Sequence, residues 1–140
     1  KLENLKKLSF DLKKNMIKNI LLPVSAPFHC KLMNKATSIM KSEIEKLNFL
    51  SSNKNLISNV TGEIMNETSE IKNLLIQQIE SKVKWRESIK YMIENGTKDF
   101  IEIGPGKVLS GLVKRIDRGV KVSAINTEED INNLKKIYGF

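Results

Sequence analysis

The sequence predicts an α/β fold, on three observations. Helical periodicities and short β-branched runs alternate along its 140 residues, turns bearing glycine or asparagine separate them, and 40% hydrophobic with 29% charged residues suits one modest core. Residues 2–16 read as an amphipathic helix and residues 19–24 as a short strand running into the loop Ser25-Ala26-Pro27-Phe28-His29-Cys30. Leu32, Met33, Ala36, Ile39, Met40, Ile44 and Leu47 then recur at helical spacing, with Lys35, Lys41, Glu43 and Lys46 on the other face.

Residues 56–60 read as a strand, Thr61-Gly62 as a turn, and residues 69–79 as a helix with the apolar stripe Ile71, Leu74, Leu75 and Ile79. Gln78 stands where that stripe calls for another apolar residue. Either it has a hydrogen-bonding reason to be there, or the stripe meets solvent at the helix end. Trp85, Ser88, Ile89, Met92 and Ile93 share one face of a further helix that Asn95-Gly96 terminates, and they read as core and not as a cofactor box. Residues 100–103 read as a buried strand entering Gly104-Pro105-Gly106 and a helix over 108–116. That turn is either a tight connection or a set of free amides for an anion; it is neither a Walker loop nor a dinucleotide fingerprint. A strand over 120–125 and a helix capped by Thr127, with Asp130 at its third position, complete the pattern.

Composition removes several classes of function. No apolar run has membrane-spanning length and no secretory signal is visible, so no membrane partner is expected. The single cysteine, Cys30, excludes an internal disulfide and fits a reducing compartment. The sequons at Asn59, Asn66 and Asn95 are chance matches in an Asn-rich chain. A net charge of +8 suits an acidic partner, but the lysines are scattered through every segment, as in a chain with a general lysine bias. Nucleic acid is not expected, because aromatic interleaving, zinc spacing and a recognition helix are all missing.

His29 is the only histidine, placed where a strand would leave the sheet. Imidazole changes charge near neutrality, and loops on rigid scaffolds hold reactive side chains, so His29 is either a general base or a satisfied structural imidazole. Cys30 is the rival nucleophile. Neighbouring residues of an extended segment point to opposite sides, which argues against a Cys30–His29 pair.

Three blocks carry a resemblance: Leu22-Pro23-Val24-Ser25-Ala26-Pro27-Phe28-His29-Cys30-Lys31-Leu32-Met33, then Val83-Lys84-Trp85-Arg86-Glu87-Ser88-Ile89, then Glu102-Ile103-Gly104-Pro105-Gly106-Lys107-Val108-Leu109-Ser110-Gly111-Leu112. In this order and spacing the chain resembles the malonyl-CoA:acyl carrier protein transacylases. The G-H-S-L-G elbow of that family does not occur, and the chain opens on Lys1 inside a helical pattern. The expectation is therefore the C-terminal half of an acyltransferase whose N-terminal half bears the nucleophile.

The resemblance implies an α/β-hydrolase-like large subdomain with an inserted ferredoxin-like small subdomain. Residues 1–24 would be the tail of the small subdomain and residues 25–140 the C-terminal part of the large one, with apolar edges exposed. It also implies transfer of malonyl from CoA to the phosphopantetheine thiol of acyl carrier protein, through a serine ester, in fatty acid biosynthesis. Malonyl-CoA is then a substrate, with no resident cofactor and no metal. His29 would be the base of a serine–histidine dyad, and the backbone carbonyl of Gln78 would accept from its ring. Phe28, just before the histidine, would fill the space that an α-methyl group needs and so favour malonyl. The oxyanion hole and the arginine for the malonyl carboxylate lie upstream in the family, which leaves Arg86, Arg115 and Arg118 without that role. The compartment implied is cytoplasmic, with a plastid or other organelle open because the true N-terminus is not in view. The alternatives are a non-catalytic remnant that binds acyl carrier protein and an acyltransferase domain of polyketide synthesis.

Overall fold

The computed structural model describes residues 2–21, 24 and 26–139. In order, the elements are α1 (Leu2–Lys14), a 3-10 turn (Lys31–Met33), α2 (Asn34–Lys46), β1 (Leu56–Ile57), β2 (Ile64–Met65), α3 (Thr68–Gln78), α4 (Trp85–Glu94), β3 (Asp99–Ile103), α5 (Val108–Ile116), β4 (Lys121–Ile125) and α6 (Glu128–Tyr138). This is the α/β alternation expected from the sequence.

Two packing units hold these elements. In the first, α2 lies on α3 and buries Ile44, Ile71 and Leu74, the positions at which the helical stripes of the two sequences face each other. In the second, β3 and β4 run parallel, in register from Asp99 against Lys121 to Ile103 against Ile125. Parallel neighbours need a crossover, which α5 supplies. Ile89 of α4, Val113 of α5 and Val120 form the buried centre here, packed by Trp85, Met92, Ile93, Phe100, Ile116 and Val122. On the other side α6 packs against β4 and buries Leu134.

Helix ends follow local chemistry. At the end of α4 the Gly96 amide donates to the Ile93 carbonyl and the Thr97 amide to the Met92 carbonyl, with Gly96 left-handed at φ 93°. That paired closure requires a residue free to adopt positive φ, which is what glycine provides. At the start of α6 the Thr127 hydroxyl accepts from the Asp130 amide, and the Asp130 carboxylate accepts from the Thr127 amide, a capping box. The start of α5 is held differently. Glu102 reaches forward from β3 and accepts from the amides of Leu109 (3.1 Å) and Ser110 (2.7 Å).

Three expectations are corrected. Residues 19–21 and 24 form no strand, and Leu22 and Pro23 lie outside the described residues. Asn19 is drawn back to α1, its side chain bonding Ser9, so this stretch follows the helix and pairs with no other strand among the described residues. The strand expected over 56–60 stops at Ile57 and pairs antiparallel with β2, which the sequence reading missed. It stops because the Ser58 hydroxyl accepts from the amides of Val60 and Thr61 and curls the chain into a turn. Finally, β3 is not buried on both faces. Phe100 and Glu102 are half-buried, whereas Ile101 and Ile103 are 42% and 81% exposed, although Tyr138 of α6 reaches Asp99 on that face.

Removing Ile89, only 1% exposed, leaves a cavity at the centre of the βαβ unit. Ile89→Ala is expected to cost about 2–5 kcal/mol of unfolding free energy in a denaturant titration. Acid should act through two caps. The Ser110 side chain, then the Ser110 and Leu109 amides, hold Glu102 below the usual carboxylate value, and the Asn126 amide and the Thr127 side chain and amide do the same for Asp130. A carboxyl group with a depressed folded pKa contributes stability above its unfolded pKa and loses it as pH falls through the folded value. Far-UV circular dichroism should therefore show stability falling below the ordinary carboxylate range, with a flatter acid limb in Glu102→Gln/Asp130→Asn.

Candidate active site

The α2–α3 pair builds the site. A helix leaves its last carbonyls without amide partners, and α3 ends at Gln78. The amides of Glu80 and Ser81 turn back to the Gln77 carbonyl. The carbonyl of Gln78 is met from 49 residues away, by the ring of His29, whose Nδ1 lies 3.0 Å from it. A carbonyl oxygen only accepts, so Nδ1 carries the hydrogen and donates. In the neutral ring the lone pair is then on Nε2.

His29 is presented by the loop between α1 and α2, two residues before the 3-10 turn that leads into α2. Its backbone is left-handed, φ 61°, a conformation that L-residues adopt sparingly and that Met16 also adopts. Asn34, at the start of α2, reaches Glu80 just past α3, a second tie between the two helix ends beside the ring. Lys31, Thr37, Ile76, Gln77, Glu80 and Ser81 line a hollow of about 380 Å³ next to this junction.

Of the residues singled out from sequence, His29 and Gln78 are brought together. Phe28 precedes the histidine in the same loop and is 57% exposed. The Cys30 thiol donates to the Pro27 carbonyl at 3.1 Å, so its hydrogen is engaged away from the imidazole. Gln78 also resolves the question that its place on the stripe raised, because its side-chain Oε1 accepts from Asn59 Nδ2 at 3.3 Å. In the sequence Asn59 lies inside the expected strand 56–60 and begins a sequon. Its one sequence signal is its place just before the Thr61-Gly62 turn, which does not identify a partner 19 residues away.

The Gly104-Pro105-Gly106 turn does not offer free amides. The Gly104 amide donates to the Ile125 carbonyl and the Gly106 amide to Asn126, while Glu102 accepts from the Leu109 and Ser110 amides in the first turn of α5. An apolar cleft of about 120 Å³ lies between α4, α5 and β3, lined by Trp85, Ile89, Met92 and Leu109 among others, and includes neither His29 nor Gln78. Among the described residues no group of three or more His, Cys, Asp and Glu is gathered to hold a metal, and no helix is long and apolar enough to cross a membrane.

No protein-family model matches the chain. Curated proteins do. The malonyl CoA-acyl carrier protein transacylase of Bacillus subtilis (strain 168) is 44% identical over 112 residues, 80% of this chain and 35% of that protein. The enzyme of the same name from Staphylococcus aureus (strain MSSA476) is 38% identical over 110 residues, covering 79% and 36%. Among solved structures, the malonyl CoA-acyl carrier protein transacylase of Clostridium perfringens superposes with a TM-score of 0.85 at 38% identity, over 96% of this chain and 43% of that one. The acyl-carrier-protein-S-malonyltransferase of Bartonella henselae gives the same TM-score and coverage at 34% identity. The chain thus spans just over a third of the length of these curated relatives. Sequence and fold agree over most of its length, and on both the chain belongs to the malonyl CoA-acyl carrier protein transacylase family.

Proposed function

We propose that this chain supplies the general base of a malonyl-CoA:acyl carrier protein acyl transfer in fatty acid biosynthesis, with His29 as the base and the serine nucleophile contributed by a segment outside these 140 residues. The observation that carries the reading is the hydrogen bond from His29 Nδ1 to the Gln78 carbonyl, which leaves Nε2 as the proton acceptor. In the first half-reaction Nε2 takes the serine proton as the hydroxyl oxygen attacks the thioester carbon. The C–S bond breaks, and the same proton goes to the departing CoA sulfur, leaving a malonyl ester on the serine. In the second, Nε2 takes the proton of the phosphopantetheine thiol, the sulfur attacks the ester carbon, the C–O bond to serine breaks, and the proton returns to the serine oxygen. The chemistry calls for no resident cofactor. A carbonyl can hold the ring tautomer, the orienting part of what an aspartate does in a catalytic triad.

On this reading residues 1–24 close a ferredoxin-like small subdomain, and residues 25–140 belong to an α/β-hydrolase-like large subdomain. In support, α1 has no buried residue, whereas α2 to α6 each contribute to a core. Phe28 would border the malonyl α-carbon and crowd out a methyl branch. A cytoplasmic setting fits the single thiol.

The test is the intact mass of holo acyl carrier protein after incubation with malonyl-CoA and this chain, with and without a separate serine-bearing segment. A malonyl increment only when both are present supports the reading. No increment with both folded and associated would overturn it in favour of a non-catalytic, carrier-binding role. His29→Asn is the informative substitution, because asparagine tolerates left-handed backbone and keeps an amide donor for the Gln78 carbonyl while removing Nε2. It should slow transfer by about a hundredfold or more with the fold intact. Phe28→Ser should shift the preference between malonyl-CoA and methylmalonyl-CoA toward the branched substrate by about 10- to 200-fold, measured as the ratio of kcat/KM values.

A further inference from the structure

We infer that Asn59 is a positioning residue for His29, acting through the side chain of Gln78; the inference rests on the proposed role of His29 as the base. Gln78 has two polar ends in use. Its carbonyl accepts from the imidazole, and its side-chain oxygen accepts from Asn59 Nδ2 at 3.3 Å in a half-buried setting. Gln78 is the last residue of α3, and helix ends fray unless something outside the helix holds them. The carbonyl that sets the histidine tautomer is therefore on one of the least secure peptides of its helix.

Asn59 is well placed to secure it, because its own position is over-determined. Ser58, 3% exposed, accepts the amides of Val60 and Thr61 on its hydroxyl and the amide of Gly62 on its carbonyl, closing a tight turn around Asn59. Gly62 is left-handed at φ 79°, and a Cβ there would lie 3.2 Å from Glu87 Cβ, so the turn sits directly on α4. The Asn59 carbonyl accepts from the Lys84 amide at 2.8 Å, at the entry to that helix. One asparagine thus joins the turn after β1, the end of α3 and the start of α4. The ring of His29 is exposed, so water competes for its Nδ1 hydrogen. A carbonyl held still competes better than one that frays, and the lone pair stays on Nε2 for a larger share of the time.

Asn59→Ala should therefore lower the transfer rate of the chain combined with its serine-bearing segment by about two- to twelvefold, the range expected for one net hydrogen bond. The loss should fall on kcat, with KM for malonyl-CoA unchanged. His29 is the only imidazole in the chain, so nitrogen NMR of that ring reads its tautomer without ambiguity. The Nδ1-protonated form should dominate in the unsubstituted chain and give ground to the Nε2-protonated form in Asn59→Ala. Asn59→Asp should recover most of the rate, since the Gln78 amide can turn over and donate to the new carboxylate. Gln78→Ala cuts the same tie from the other side and keeps the backbone carbonyl, and adding Asn59→Ala to it should cost nothing more. If Asn59→Ala does not fold, Gln78→Ala alone must show the tautomer shift. An unchanged tautomer in either folded variant, or additive losses in the pair, overturns the positioning role. An Nε2-protonated ring in the unsubstituted chain would instead sink the reading of His29 itself.

Discussion

A carbonyl left over at the end of a helix is the constraint that orients the one histidine of this chain. Every helix ends with carbonyls that its own amides do not reach, and in α3 the one on Gln78 is claimed by an imidazole from a distant loop. The bond itself is weak. A hydrogen bond at an exposed ring is worth about 0.5–1.5 kcal/mol net, while left-handed backbone at an L-residue such as His29 costs about 1–3 kcal/mol. The contact therefore does not hold the loop in place. Packing of α2 on α3, in which Ile44, Ile71 and Leu74 are buried, sets the two helices side by side, and the hydrogen bond takes advantage of that arrangement where α2 begins and α3 stops.

The choice of a carbonyl has chemical consequences under the proposed function. A carbonyl fixes which ring nitrogen carries the hydrogen but brings no formal charge, so it orients the base without adding an anion to a site that handles the malonate carboxylate. The last carbonyls of α3 still carry the partial negative charge of a helix C-terminus, directed at a ring that becomes cationic while it holds the serine or thiol proton. Throughout that cycle Nδ1 keeps its hydrogen and its acceptor, and only Nε2 gains and loses a proton. Reorganisation on that side of the ring is small, the condition under which a fixed dipole is most useful to a reaction.

Much of this was legible in the chain because local chemistry decides it. The helix over 108–116, the Asn95-Gly96 terminator and the Thr127–Asp130 cap depend on residues within one turn of each other, and the structure places them where the sequence does. Gln78 was legible as an anomaly, a polar residue on an apolar stripe. Its partner was not, since Asn59 reaches it across a turn whose geometry depends on the Ser58 hydroxyl, and a β-branched run containing serine reads as a strand until that hydroxyl finds the amides ahead of it. The expectation for residues 19–24 failed for another reason. Strand propensity describes a segment, whereas a strand requires a neighbour, and the described part of this stretch has none. The face of β3 bearing Ile101 and Ile103 is the same case reversed: the sequence asks for burial on both sides, and on this side Tyr138 of α6 reaches only as far as Asp99 while Ile103 stays open.

Glu102 shows how one side chain can settle the function of a turn. Strand, glycine-rich turn and helix together suggest an anion site, because first-turn amides point outward with a favourable dipole. Here the anion is built into the chain: the Glu102 carboxylate sits on the Leu109 and Ser110 amides and is held ionised below the usual carboxylate range by the Ser110 side chain and those amides. That carboxylate ties the start of α5 to β3. The consequence reaches the other end of the molecule. The βαβ unit gives no residue to the His29 site, but α4, packed into that unit through Ile89, begins at the Lys84 amide that Asn59 holds. Whatever rigidity the parallel strands and α5 confer on α4 thus passes to the site through Lys84, Asn59 and Gln78, and the histidine has the steadiness of a core that it does not touch.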